Sequence, residues 1–179
     1  VLYPQTEKDL FMNQKSVVFG PELEEFVLES NKIEGIWRDP THAEIAATQM
    51  FLTLHQPCVI DVQQLVGVYQ PGSVLRDHRG MDVYVGNYVA PTGGPYIGAA
   101  LADLLESMDR RSPFDVHVDY EKLHPFTDGN GRSGRALWAW MMVREQGGLP
   151  LGFLHQFYYQ TLAASFPNPL RFKGKRIYL

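Results

Sequence analysis

Residues 124–135 read His-Pro-Phe-Thr-Asp-Gly-Asn-Gly-Arg-Ser-Gly-Arg. Behind them, Ala136-Leu137-Trp138-Ala139-Trp140-Met141-Met142-Val143 is an unbroken apolar run of helical length. A Gly/Asn loop that opens a buried helix turns free backbone amides and the positive end of the helix dipole toward one point, which makes an anion cradle. His124 precedes a proline, which disfavours helix at that residue, so it sits at the mouth of the loop. It is the one side-chain type in the run that accepts a proton near neutral pH without a large shift. Asp128 is a hard anion of the kind Mg²⁺ shares with phosphate oxygens. Gly129, Asn130 and Gly131 allow close approach of the backbone to a phosphate. Arg132 and Arg135 share a face of the first helical turn. Cations are disfavoured at that end of a helix, so the pair calls for an anion. Together these parts suit phosphate chemistry on a nucleotide. A Gly/Asn turn between two helices is the plainer alternative for each feature taken alone.

His124 to Arg135 resembles the Fic motif, His-Pro-Phe-x-Asp/Glu-Gly-Asn-Gly-Arg-x-x-Arg, at every defined position. The resemblance implies a mainly α Fic fold, a compact helical bundle with a short β-hairpin flap over the active site. It also implies an enzyme that transfers AMP from ATP to a hydroxyl of a target protein. In that reading His124 deprotonates the target hydroxyl and Asp128 holds Mg²⁺ on the α- and β-phosphates. The loop amides of Gly129, Asn130 and Gly131 bind phosphate oxygens, and Arg132 and Arg135 hold the outer phosphates. Doc-type relatives, which phosphorylate, carry Lys where this chain has Gly131, and the glycine favours AMP transfer.

The elements that must position this loop begin with a helix over about 21–35. Leu23, Phe26, Val27 and Ser30 follow its inward stripe. Early glutamates complement its N-terminus, and Gly35 offers a C-terminal stop. Continued, the stripe lands on Glu34. A carboxylate there either turns out to water at the helix end or needs a cationic partner. Ser30-x-x-x-Glu34-Gly35 resembles the Ser/Thr-x-x-x-Glu-Gly/Asn inhibitory motif of Fic proteins. The resemblance implies that Glu34 pairs with Arg135 and blocks productive seating of the γ-phosphate.

Further helices are expected from Thr41, whose spacing to Glu44 is a capping box, with Ala47, Met50, Phe51 and Leu54 inward. Others are expected after Asp61 (Val62, Leu65, Val66 and Tyr69 inward) and along Ile97, Ala100, Leu101, Leu104, Leu105 and Met108. The remaining helices run from about Ser112 into Leu123 (Val116, Tyr120 and Leu123 packing), from about Arg132, and over about 154–164. Between the second and third of these, residues 74–91 break the helical pattern. Arg79-Gly80 offers a turn, and residues 81–89 alternate and are β-branched and aromatic. The segment reads as an ordinary surface hairpin. By resemblance it is the flap, in which Met81, Asp82, Val83, Tyr84 and Val85 pair with the target's extended segment. Tyr158 and Tyr159 read as core residues, or as stacking partners for adenine by likeness to some relatives.

The 179 residues, 45% of them hydrophobic, fit one domain spanning 1–179. Net charge −4 argues against general nucleic-acid binding. No run is long enough to span a membrane, and no signal-peptide pattern opens the chain. The single cysteine, Cys58, fits a reducing compartment, hence a cytoplasmic location, and is expected in the core. The basic stretch Arg171-Phe172-Lys173-Gly174-Lys175-Arg176 reads as a solvated tail, or alternatively as a partner or phosphate contact. The expected partner is a protein bearing a Ser, Thr or Tyr hydroxyl, self-modification included. Three alternatives stay open. The same site can remove AMP from a target, with the glutamate placing a water, and the sequence does not separate this from transfer. A nucleotide-holding module without turnover is a second, against which the complete set of reactive residues argues. A metallohydrolase built on His124 and Asp128 lacks further ligands nearby.

Overall fold

A computed structural model describes residues 20–151 and 164–166. The helix expected over about 154–164 lies, but for its last residue, outside them, as do Tyr158, Tyr159 and the basic stretch ending at Arg176. Among the described residues six α-helices and one hairpin follow in order: α1 Pro21–Ile33, α2 His42–Thr53, α3 Val59–Tyr69, β1 Tyr84–Val85, β2 Tyr88–Val89, α4 Tyr96–Glu106, α5 Pro113–Leu123 and α6 Asn130–Gln146. A 3₁₀ turn, Met108–Arg110, joins α4 to α5. Among the described residues no helix is long and apolar enough to cross a membrane.

The all-round apolar character of α6 predicts a buried central helix, and the fold places it there. It packs against α5, α2, α3 and α1. Ala136, Leu137, Trp138, Ala139, Trp140 and Met141 are all buried. Trp140 Nε1 donates to Leu54 O at 3.0 Å, which satisfies the one polar atom of a fully enclosed indole. Across this helix, α1 lays down Leu23, Phe26 and Val27, each 1% exposed or less. Each contributes roughly 1.5–3 kcal/mol on burial, enough together to seat α1 and deliver its C-terminal end to the motif. The helix ends with Glu34 as its C-cap, followed by Gly35 at φ +77°. That left-handed residue terminates the helix at little steric cost.

In α2 the capping box forms as expected: Glu44 N donates to Thr41 Oγ1 at 3.2 Å, and Thr41 N to Glu44 Oε2 at 2.7 Å. The inward face differs from the expectation. Glu44, Thr48, Phe51 and Leu52 are buried, Ala47 and Leu54 are partly buried, and Met50 is 70% exposed. The rotation has a polar cause. Glu44 is bonded by both terminal nitrogens of Arg38 at 2.8 Å, and Thr48 Oγ1 meets Tyr69 OH at 2.6 Å, so these polar side chains are satisfied inside. Cys58 is also a correction. It is exposed, because α3 begins immediately after it and Cys58 is the N-cap, whose amide donates to Asp61 Oδ2 at 2.8 Å. Asp61 therefore caps α3 from its third position. The apolar stripes of α3, α4 and α5 are placed as the spacing predicts, with Ala100 and Leu123 half-buried.

The hairpin pairs Tyr84 with Val89 and Val85 with Tyr88, antiparallel. The chain reverses at Gly86-Asn87, and Arg79-Gly80 forms a separate turn before the strands. Val85 is buried, and Tyr88 packs edge-on to Phe166 with centroids 4.8 Å apart, whereas Tyr84 and Val89 face solvent. One face is thus anchored and one is open. Of the five residues expected to dock a target, only Tyr84 and Val85 are in a strand. The Asp82 carboxylate accepts from Gly93 N at 3.0 Å and closes the base of the hairpin.

Candidate active site

The loop between α5 and α6 is braced from within. Asn130 spends its side chain on Phe126: Oδ1 accepts from the Phe126 amide and Nδ2 donates to its carbonyl, both at 2.8 Å. The amides of Asn130, Gly131 and Arg132 lie in the first turn of α6 and have no intrahelical carbonyl to bond. Gly129 precedes them at φ +76°, a conformation glycine adopts without steric cost. The Gly129 amide donates to Asp128 Oδ1 at 2.6 Å, which fixes an otherwise solvent-facing carboxylate at the rim. Ser73 holds the same residue from the far side, through Asp128 N at 3.1 Å and Asp128 O at 2.8 Å. Among the described residues no group of three or more His, Cys, Asp or Glu gathers to hold a metal. A single outward carboxylate suits Mg²⁺ that arrives with its phosphates, since that ion keeps most of its shell as water and phosphate oxygen.

His124 caps the C-terminus of α5 in the left-handed conformation, φ +48° and ψ +61°. It is the one described non-glycine residue with positive φ, a placement that costs energy and persists where the surroundings enforce it. Burial holds its imidazole down at about 4; contact with the Glu121 main chain pulls upward, and Arg76 pushes further down. The ring is therefore neutral at pH 7 and able to accept a proton. Glu121 Oε2 lies 3.9 Å from His124 Nδ1. Burial pushes the Glu121 carboxyl up to about 8, with Arg135 opposing. Both groups are uncharged at neutral pH, so the approach is not an ion pair. Deeper still, burial holds His117 down at about 3.

The two motif arginines carry different partners. Arg135 is 1% exposed. Its Nε donates to Ser30 Oγ at 2.9 Å, and its Nη2 donates to Ser30 O at 3.0 Å and to Glu34 Oε1 at 2.7 Å. The Glu34 contact joins residues 101 apart in sequence, and the Glu34 side chain stays 33% exposed. Its carboxylate also rests directly against Gly131, where an added Cβ would overlap Glu34 Oε1 and come within 3.0 Å of Arg135 Nη1. Arg132 donates to Gln70 Oε1 at 2.7 Å, lies 3.7 Å from Glu44 Oε1, and stacks 5.5 Å above the Tyr69 ring. Burial raises the Glu44 carboxyl, but hydrogen bonds from Arg38 and Thr41 outweigh it and hold the group near 2, so it stays ionised. Ser30, Glu34 and Arg135 thus converge, with Gly131 against them, and Asp128 and His124 flank the same loop.

Glu44, Gln70 and Arg76 are site residues that sequence reasoning missed. Glu44 carried a signal, since it was recognised as a cap, but its second face toward Arg132 was not visible. Gln70 follows α3 with no pattern to mark it.

A neutral imidazole and a rim carboxylate thus precede a helix N-terminus that bears two guanidiniums. The chain belongs to the Fic/DOC family, whose model matches residues 46–142 and so takes in the whole loop from His124 to Arg135. Members are generally transferases that act on proteins, by AMP transfer or related nucleotidyl transfer. Ser30, Glu34 and Gly35 lie outside the matched span. No curated protein matches the chain.

Proposed function

We propose that the chain transfers AMP from ATP to a Ser, Thr or Tyr hydroxyl of a target protein, itself included, and that Glu34 restrains the reaction by occupying Arg135. One observation carries the reading. A single loop sets a neutral, half-buried His124 at one end and the N-terminus of α6 at the other, with the Asp128 carboxylate at the rim between them. His124 takes the proton of the incoming hydroxyl. The hydroxyl oxygen then bonds the α-phosphorus, the α–β bridging bond breaks, and pyrophosphate leaves. The first-turn amides at Asn130 and Gly131 and the Arg132 and Arg135 guanidiniums take up the negative charge of the phosphates. Mg²⁺ on Asp128 would neutralise part of that charge. Each strand of the two-stranded hairpin pairs on one side alone and leaves an edge on which an extended target segment can align its hydroxyl.

AMP removal is the second reading, favoured by the partial exposure of Glu34 while Arg135 holds it in place. A carboxylate so held can orient water toward a bound phosphate. The deciding experiment incubates the Glu34→Gly chain with Mg²⁺ and ATP labelled at the α- or the γ-phosphate. Label retained on protein from the α position alone supports AMP transfer. Label from the γ position identifies phosphorylation and overturns it. Release of AMP from a pre-modified protein by the wild-type chain would favour removal.

A further inference from the structure

Arg76 is fully buried, yet among the described residues no carboxylate bonds its guanidinium. A buried cation is costly unless its donors are satisfied. Here main-chain carbonyls take four of its five N–H donors. Nε donates to His124 O at 2.7 Å and Nη2 to Leu123 O at 2.9 Å. Nη1 donates to Met81 O and to Pro91 O, both at 2.9 Å. The first two acceptors end α5, where a cation also complements the negative end of the helix dipole. The other two lie on either side of the hairpin. The main chain of Arg76 joins in: its amide donates to Pro125 O and its carbonyl accepts from Gly94 N, each at 2.9 Å. The preceding residues run antiparallel to the catalytic loop, with Leu75 bridged to Phe126 and Thr127 N bonded to Val74 O at 3.0 Å.

We propose that Arg76 is a positioning residue that locks the hairpin to His124, so that the edge receiving the target and the base receiving its proton move as one body. The planar fork suits the task because its three nitrogens reach carbonyls on three separate segments at once, whereas the three donors of an ammonium leave a single nitrogen. It also explains how His124 keeps its left-handed backbone: the carbonyls of Leu123 and His124 are pinned from one side by a single rigid group. The inference rests on the proposed roles of His124 and the hairpin. Misplacing a reacting group by about 1 Å can cost about a hundredfold in rate.

The test is Arg76→Lys in the Glu34→Gly background, with ATP·Mg²⁺ as the probe. Positioning predicts AMP transfer at saturating ATP reduced about a hundredfold, with the ATP·Mg²⁺ dissociation constant changed less than about twofold. It also predicts faster hydrogen exchange at Ala90 and Thr127 with no change at Val62 in α3. A merely structural role would weaken nucleotide binding, Val62 protection and transfer together, and that result overturns the proposal. So does transfer at the parent rate. A Glu34→Gly parent that transfers no AMP refutes the proposed activity, and hydrogen exchange in Arg76→Lys then decides this inference. If the lysine variant does not fold, native-state exchange on the unaltered chain decides. Ala90, Gly94 and Thr127 should open with one common free energy, and three unrelated values overturn the lock.

Discussion

Replacing Glu34 by alanine should tighten nucleotide binding, by an amount set by the Arg135 contact. The carboxylate accepts a charged hydrogen bond of 2.7 Å from a guanidinium that is 1% exposed, but is itself 33% exposed. A hydrogen bond to a charged group is worth about 1.5–3 kcal/mol. Water at the open side of Glu34 reduces that to about 1–2 kcal/mol. ATP must displace Glu34 to reach Arg135, so the same energy is subtracted from its binding. Glu34→Ala should therefore lower the ATP·Mg²⁺ dissociation constant about five- to thirtyfold, measured by titration calorimetry. Arg135→Ala breaks the same contact without that gain, because it also removes the phosphate partner. ATP·Mg²⁺ should accordingly raise the melting temperature of Glu34→Ala more than that of Arg135→Ala. The double variant should be non-additive in stability by about 1–2 kcal/mol. Equal affinity in wild type and Glu34→Ala, together with additive stabilities, would refute the restraint.

His124→Ala in the Glu34→Gly background should lower transfer by about 10²–10⁴-fold with ATP affinity unchanged. With the imidazole held at about 4, the acid limb of transfer should fall near pH 4 and not near 6.5; a limb at 6.5 would contradict a desolvated base. Gly131→Ala should destabilise the wild-type chain, because its Cβ overlaps the Glu34 carboxylate, and the penalty should shrink in Glu34→Gly, where that contact is absent. Equal melting shifts in both backgrounds would remove the contact. His117 and His124, held at about 3 and about 4, take up protons on unfolding as pH falls below 6.5. Their contribution is complete above pH 6.5 and declines by about 1.4 kcal/mol per pH unit each toward pH 4. Glu121, raised to about 8, acts oppositely, contributing fully below its unfolded value and losing that contribution as pH rises through 8. The net acid loss between pH 6.5 and 5 should flatten in His117→Asn, as read from urea midpoints.

The helical stripes were legible because burial follows periodicity when the inward residues are apolar, as in α3 and α4. In α2 the same reasoning put Met50 inside. The inward face there is built from Glu44 and Thr48, whose burial depends on Arg38 and Tyr69, partners that only the fold brings near. Glu34 stood out because its stripe position conflicted with its charge, and the conflict named the kind of partner it needed. Arg76 offered no such conflict: it lies between elements, and its acceptors are carbonyls, which every residue has. The spacing marks Arg132 as a ligand for phosphate alone; its bond to the Gln70 side chain joins residues 62 apart that only the fold brings together.

Intact-mass measurement of the purified Glu34→Gly chain after incubation with ATP and Mg²⁺, alongside Glu34→Gly/His124→Ala, tests the central claim most directly. The account predicts a mass gain equal to whole AMP groups on the first protein or on an added acceptor protein, and none with the second. A gain equal to phosphate, or AMP addition that survives loss of His124, would contradict it.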